Sequence, residues 1–180
     1  MDRVKYFVAE ATLYICNHIV AHVPSRRIRS LFYQSVMKFV VGPRGSIHMG
    51  CDFTSRWGLV IGGGTVINRR CIIDTRGRVF IGQNVSISSD VKIFTTEHDI
   101  DDPFFSGTEA PVVIQDRAFV GTAAIILPGV TLGEGAVLCA GSIATKSIPP
   151  FEVWGGSPAR YIRDRSKRLE YLINYSRFLH

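Results

Sequence analysis

The chain has 180 residues, 46% of them hydrophobic, and a formal net charge of +6. That length suits one domain with a substantial core, and that apolar content excludes a disordered polymer. The positive charge points to an anionic partner without choosing among nucleic acid, a membrane and a phosphorylated small molecule. The four cysteines, Cys16, Cys51, Cys71 and Cys139, form neither a zinc spacing nor a CxxC pair, which indicates a reducing compartment, the cytoplasm. No uninterrupted apolar run of about 18 residues occurs, so no membrane-spanning helix is expected. Glu10, Asn17 and His18 break the apolar start, which resembles a signal peptide only loosely.

Residues 1–41 form the first segment. Val4, Phe7, Val8, Ala11, Ile15 and Ile19 follow helical spacing until Pro24. Ser25 is the expected N-cap of a second helix, with Ile28, Leu31, Phe32, Val36, Phe39 and Val40 as its apolar face and Gly42-Pro43 as its stop. Two readings of this segment compete. The helices could cover the open end of the following domain. Alternatively they could form a basic amphipathic surface on the inner face of the membrane, with Arg26, Arg27, Arg29 and Lys38 toward lipid phosphates.

Residues 42–150 carry a six-residue beat. Ile114, Val120, Ile126, Leu132, Leu138 and Ala144 fall six apart, and Ala118, Ala124, Val130, Ala136 and Ser142 sit four after the first five. Ile61, Ile67 and Ile73, then Ile81, Ile87 and Ile93, keep the same beat, with a slip of two at Thr75–Arg78. A six-residue unit cannot bury its own apolar side chain and becomes stable only when stacked, so the repeat implies a parallel β-solenoid. Cys51 and Cys71 take its small interior positions. His48, next to Ile47, is expected to point outward. Residues 97–112 break the beat and form a protruding loop of the kind that a rigid scaffold uses for function. Residues 151–180 leave the solenoid. Ser166–Leu179 reads as a C-terminal helix with Leu169, Leu172, Ile173 and Phe178 facing inward.

The repeat, the Thr-Thr-Glu-His-Asp run at 95–99, the stretch from Ile126 to Pro150 and the Trp-Gly-Gly-Ser-Pro-Ala-Arg-Tyr-Ile-Arg ending at Arg163 together resemble the hexapeptide-repeat acyltransferases. The resemblance covers residues 44–163 and is nearest to the galactoside, maltose and capsular-sugar O-acetyltransferases. It implies a left-handed parallel β-helix of triangular coils, three hexapeptides to a coil. It also implies a homotrimer with three clefts between adjacent subunits, and acetyl-CoA lying along one edge of the solenoid.

The resemblance assigns roles residue by residue. His98 matches the catalytic histidine. Asn68 and Asp74 match acceptor-side residues, and Glu109 in the returning loop is a further acceptor-side residue. Phe119, Thr122, Ala140, Thr145, Lys146, Arg160 and Arg163 match positions along the cofactor. Two departures touch that edge: Cys139 replaces a usual Gly, and Trp154–Pro158 replaces a run ending Gly-Asn-Pro.

The residues permit the chemistry. Transfer of acetyl from a thioester to a hydroxyl needs a base near neutrality, for which histidine is suited, and a donor for the tetrahedral oxyanion. No nucleophile elbow is present, so direct attack is expected rather than an acyl-enzyme. The oxyanion donor is expected to be a backbone N–H around Gly121 or Ala140. The expected function is therefore an acetyl-CoA-dependent O-acetyltransferase acting on a sugar or glycan, with no metal. Alternatives are a non-sugar acceptor such as an antibiotic or serine, and a non-catalytic scaffold. A zinc hydratase would need three histidine ligands, and the repeat holds only His48 and His98. Nucleic acid is not an expected partner, because basic and aromatic residues do not interleave.

Overall fold

The computed structural model describes residues 3–173. Helix α1 (Arg3–His18), a 3-10 turn (Val20–His22) and helix α2 (Arg26–Ser35) precede three stacks of short parallel strands. Face A stacks Val40–Val41, Leu59–Ile61, Val79–Ile81, Val112–Ile114 and Thr131–Leu132. Face B stacks Ser46–Ile47, Val66–Ile67, Ser86–Ile87, Phe119–Val120, Val137–Leu138 and Glu152–Gly156, and face C stacks Asp52–Phe53, Ile72–Ile73, Lys92–Ile93, Ile125–Ile126 and Ile143–Ala144. The chain visits A, B and C in turn, so each circuit is one coil of a three-sided parallel solenoid.

The beat sets the register. On face B, Ile47, Ile67, Ile87, Val120 and Leu138 occupy one rung position. On face C, Phe53, Ile73, Ile93, Ile126 and Ala144 do the same. All ten are buried, and each aliphatic residue packs on its copy in the next coil rather than on its own strand. The small positions four residues later, such as Cys71, Ala118, Ala124 and Ala136, are buried at the corners, where the chain turns too tightly for a larger side chain. Gly121 marks one of the close approaches between coils, since a Cβ there would stand 2.4 Å from the Ala140 nitrogen. The slip of two is a longer corner between faces C and A.

The N-terminal segment closes the lower end of the solenoid by hydrogen bonding as well as by apolar contact. Asn17 imitates a neighbouring strand: its Nδ2 donates to the Phe53 carbonyl at 2.8 Å, and its Oδ1 accepts the Phe53 amide at 3.2 Å. The Gly50 amide donates to the Ala21 carbonyl at 2.9 Å. Cys16, Tyr33, Met37 and Phe39 join the core against Phe53. Ser25 caps α2, accepting the Ile28 amide.

Three expectations are corrected here. Helix α2 ends at Ser35 and turns a different face inward: Ile28 and Leu31 are 55% and 67% exposed, while Arg29 and Tyr33 are buried. Arg29 donates to the carbonyl of Val23, in the link before α2, and to that of Ile47 on the strand edge that α2 covers, which an aliphatic side chain could not do. His48, expected at the surface, is buried, and the chain at Ala21 bonds the same corner through the Gly50 amide. Residues 166–173 form no helix. They run along the corner between faces A and B, where Arg165 donates to the carbonyls of Arg117 and Gly135, Tyr171 to that of Arg117, and the Ile173 amide to Asn84 Oδ1. The remainder of that expected helix, residues 174–179, lies outside the described residues.

Candidate active site

The site is built where the repeat releases the chain. After the face C strand Lys92–Ile93, the backbone leaves the coil as a short antiparallel hairpin, Thr96–His98 with Gly107–Glu109. Its tip is ordered by its own acids. Asp99 Oδ1 accepts the Asp101 amide at 3.0 Å, and the Asp102 carboxylate accepts the amides of Phe104 and Ser106 at 3.0 and 3.1 Å. The Phe105 amide donates to the Asp102 carbonyl at 2.8 Å. These are side-chain turns that Asp favours, here with Pro103 fixing the chain after Asp102.

This tip positions His98. The Phe105 ring stacks on the imidazole with centroids 4.3 Å apart and planes 6° from parallel. His98 Nδ1 lies 2.8 Å from the Phe105 carbonyl oxygen. A carbonyl can only accept, so Nδ1 carries the proton and Nε2 presents its lone pair. His98 is exposed. The arrangement is a ring fixed on one side by stacking, fixed in tautomer by a backbone carbonyl, and left with a basic second nitrogen.

The neighbouring acid is arranged in the opposite way. Asp74, 1% exposed, sits on the same solenoid edge one coil earlier. Its Oδ1 accepts the Thr54 hydroxyl and both the amide and Nε of Arg76, and its Oδ2 accepts Arg76 Nη2, the Thr95 amide and the Thr96 hydroxyl. Burial favours the neutral acid, but the bonds from Arg76, Thr54 and Thr96 outweigh it and hold this carboxyl well below the usual carboxylate range. Both oxygens are spent inside the corner, so the structure gives Asp74 a bracing role rather than a free acceptor-binding oxygen. Glu109, opposite Thr96, is exposed. It raises the Arg76 pKa, though less than Asp74 does.

The remaining expected residues fall on other edges. Asn68, Thr122 and Ala140 share the corner between faces B and C. Asn68 Nδ2 donates to the Ile87 carbonyl at 2.8 Å. The Gly121 amide, one of the two expected oxyanion donors, is consumed by the Leu138 carbonyl at 2.8 Å. Thr122 and Ala140 are exposed, and their amides donate to no backbone carbonyl among the described residues. Thr145 and Lys146 are exposed just past Ile143–Ala144, at the uppermost corner between faces C and A.

Phe119, 38% exposed, lies on the outward side of face B. The strand Ala159–Asp164 pairs Arg160 with Gly155 and Arg163 with Val153 across an irregular step. Residues three apart on a regular strand point to opposite sides; the extra residue brings Arg160 and Arg163 to one side. Through Val153 and Val137 the register places that side with Phe119. Neither arginine is paired with a carboxylate within salt-bridge distance among the described residues.

One chain thus holds the parts on separate edges, with the width of face C between His98 and the Thr122–Ala140 corner. A groove of about 420 Å³ on the outer side of face A, lined by Val60, Phe80 and Val113 among others, includes none of these residues. The family resemblance assigns no role to Phe105 or Asp102. The signal for them was present as Asp-Pro-Phe-Phe-Ser, an acid followed by Pro at a turn four residues after His98.

No protein-family model matches the sequence. A candidate acetyltransferase of Saccharomyces cerevisiae, YJL218W, is 32% identical over 154 residues, 84% of this chain and 76% of that protein. A candidate acetyltransferase of Schizosaccharomyces pombe, C18B11.09c, is 41% identical over 99 residues, and the match spans about half of either protein, 53% of this chain and 48% of that one. The fold matches the hexapeptide-repeat acetyltransferase VCA0836 of Vibrio cholerae, solved with acetyl-CoA, with a TM-score of 0.82 at 22% identity over 91% of this chain and 90% of that one. It also matches galactoside acetyltransferase in complex with coenzyme A, with a TM-score of 0.78 at 26% identity over 96% and 90% of the two chains. The chain belongs to the hexapeptide-repeat acetyltransferases.

Proposed function

We propose that this chain moves an acetyl group from acetyl-CoA to a hydroxyl of a sugar or glycan. The observation that carries the reading is His98, an exposed residue whose Nδ1 is committed to the Phe105 carbonyl, which leaves Nε2 as the basic nitrogen. The acceptor oxygen attacks the thioester carbonyl carbon while Nε2 takes the hydroxyl proton. The amide of Ala140 or Thr122 donates to the oxyanion that forms. Collapse breaks the carbon–sulfur bond, and the imidazolium returns its proton to the departing thiolate. The products are an acetyl ester and the free thiol. Arg160 and Arg163, together on the outer side of face B, supply cations for the CoA phosphates.

The separation of His98 from the Thr122–Ala140 corner favours a shared site. We infer a homotrimer in which adjacent copies close each cleft, as sedimentation equilibrium would establish by a mass of three chains. A stable, active monomer would contradict it.

A thiol-release assay with acetyl-CoA and a panel of galactosides, maltose and longer glycans tests the function. Acceptor-dependent release with a glycan is expected. Release only with serine or an antibiotic would move the acceptor class. A chain that neither releases thiol nor shifts its melting temperature with acetyl-CoA would be a scaffold.

A further inference from the structure

The N-terminal cap carries a second apolar surface that the solenoid does not use. Helix α1 packs Cys16 and Leu13 on the core. At about 100° per residue, Phe7, Val8 and Ile15 fall on roughly the opposite side. They are 72%, 51% and 41% exposed, and Ile19, just past the helix, is 56% exposed. A helix lying on a protein surface ordinarily turns a polar side to water; on α1 that side is largely apolar, with His18 exposed among these residues and Arg3 and Glu10 exposed at its border. Helix α2 exposes Ile28 at 55% and Leu31 at 67% beside the exposed Arg27.

The charge around this surface is one-sided. Residues 1–41 contain Arg3, Lys5, Arg26, Arg27, Arg29 and Lys38 against two acids, Asp2 and Glu10. Arg29 is buried and bonded inward, and Arg26 bonds the Gly45 carbonyl. Arg3, Lys5, Arg27 and Lys38 are exposed and form no ion pair with a described residue. Two copies of such a cap repel each other, whereas an anionic surface attracts it. No helix among the described residues is long and apolar enough to cross a bilayer.

We propose that the cap docks on an anionic lipid bilayer. Helix α1 lies in the interfacial plane with Phe7, Val8, Ile15 and Ile19 in the acyl boundary, and Arg3, Lys5, Arg27 and Lys38 meet headgroup phosphates. This inference stands apart from the acetyl-transfer reading, because none of its residues was assigned to the site.

The test is co-flotation of the full chain with vesicles of phosphatidylcholine alone and with about 30% phosphatidylserine. Binding is expected only to the anionic vesicles, and it should weaken several-fold as salt rises to about 0.5 M. The double variant Phe7→Ser/Val8→Ser should bind at least roughly tenfold more weakly while keeping the native melting temperature, since both side chains are exposed. Arg3→Glu/Lys5→Glu/Arg27→Glu should lose the preference for anionic lipid. No binding of the native chain to anionic vesicles overturns the proposal. So does a fall in sedimentation mass of Phe7→Ser/Val8→Ser, which would assign the surface to a second copy of the chain.

Discussion

Asp74 and His98 leave the same edge of the solenoid in successive coils, and the two places treat a polar side chain in opposite ways. The corner at 74–78 encloses its carboxylate at 1% exposure and fills both oxygens from Thr54, Arg76, Thr95 and Thr96. The hairpin holds its imidazole by one nitrogen and one ring face and leaves the other nitrogen basic. The difference separates stiffness in the corner from the reactivity proposed for the hairpin. Thr96 joins them, because this first residue of the hairpin donates its hydroxyl to Asp74 at 2.7 Å.

Removing the brace should have the largest effect on stability. Asp74→Ala leaves the Thr95 amide and part of Arg76 without their acceptor, at a cost of about 3–5 kcal/mol, readable as a lower denaturant midpoint at unchanged slope. Acid sharpens the same comparison. The folded-state pKa of Asp74 is depressed, so the unfolded chain takes the proton first. Its stabilisation is present above the ordinary carboxylate range and is lost progressively as pH falls from there toward the depressed value. The stability gap between the native chain and Asp74→Asn should narrow over that window; a gap independent of pH would show that the carboxylate charge is not what the corner uses.

The next effect concerns binding. Arg160→Ala/Arg163→Ala should weaken acetyl-CoA by roughly tenfold, a discounted figure for two exposed cations, with kcat at saturation within a few-fold of native. Titration calorimetry with unchanged affinity would return the pair to ordinary solvated surface.

The smallest effect should come from the hairpin tip. Asp102→Ala removes the acceptor of the Phe104 and Ser106 amides and loosens the carbonyl that fixes the His98 tautomer. A loss of about three- to tenfold in kcat is expected, with little change in melting temperature and partial recovery in Asp102→Asn, whose amide oxygen can still accept.

Much of this was legible in the sequence, and the failures share one cause. The beat named the interior of every coil because periodicity is local. It placed Asp74 at a corner but could not show that Thr54 and Thr96, about twenty residues away on either side, would fill its oxygens. His48 read as outward by its place after Ile47, yet it is buried at the corner that chain from Ala21 bonds. Helix α2 read as an apolar face, yet the edge that it covers offers the Ile47 carbonyl, which Arg29 and not Ile28 can satisfy. The Gly121 amide looked available until the next coil supplied the Leu138 carbonyl. Each miss was set by a partner a coil or more away, where spacing carries no information.

The most direct measurement is steady-state turnover of His98→Ala with saturating acceptor, paired with its acetyl-CoA affinity. Turnover should fall by about 10²–10⁴, the range for loss of a general base, while cofactor affinity stays near native because the residues proposed to hold the cofactor lie on other edges. Turnover of His98→Ala within a few-fold of native would place the base elsewhere and leave the stacked, tautomer-fixed imidazole without a catalytic role.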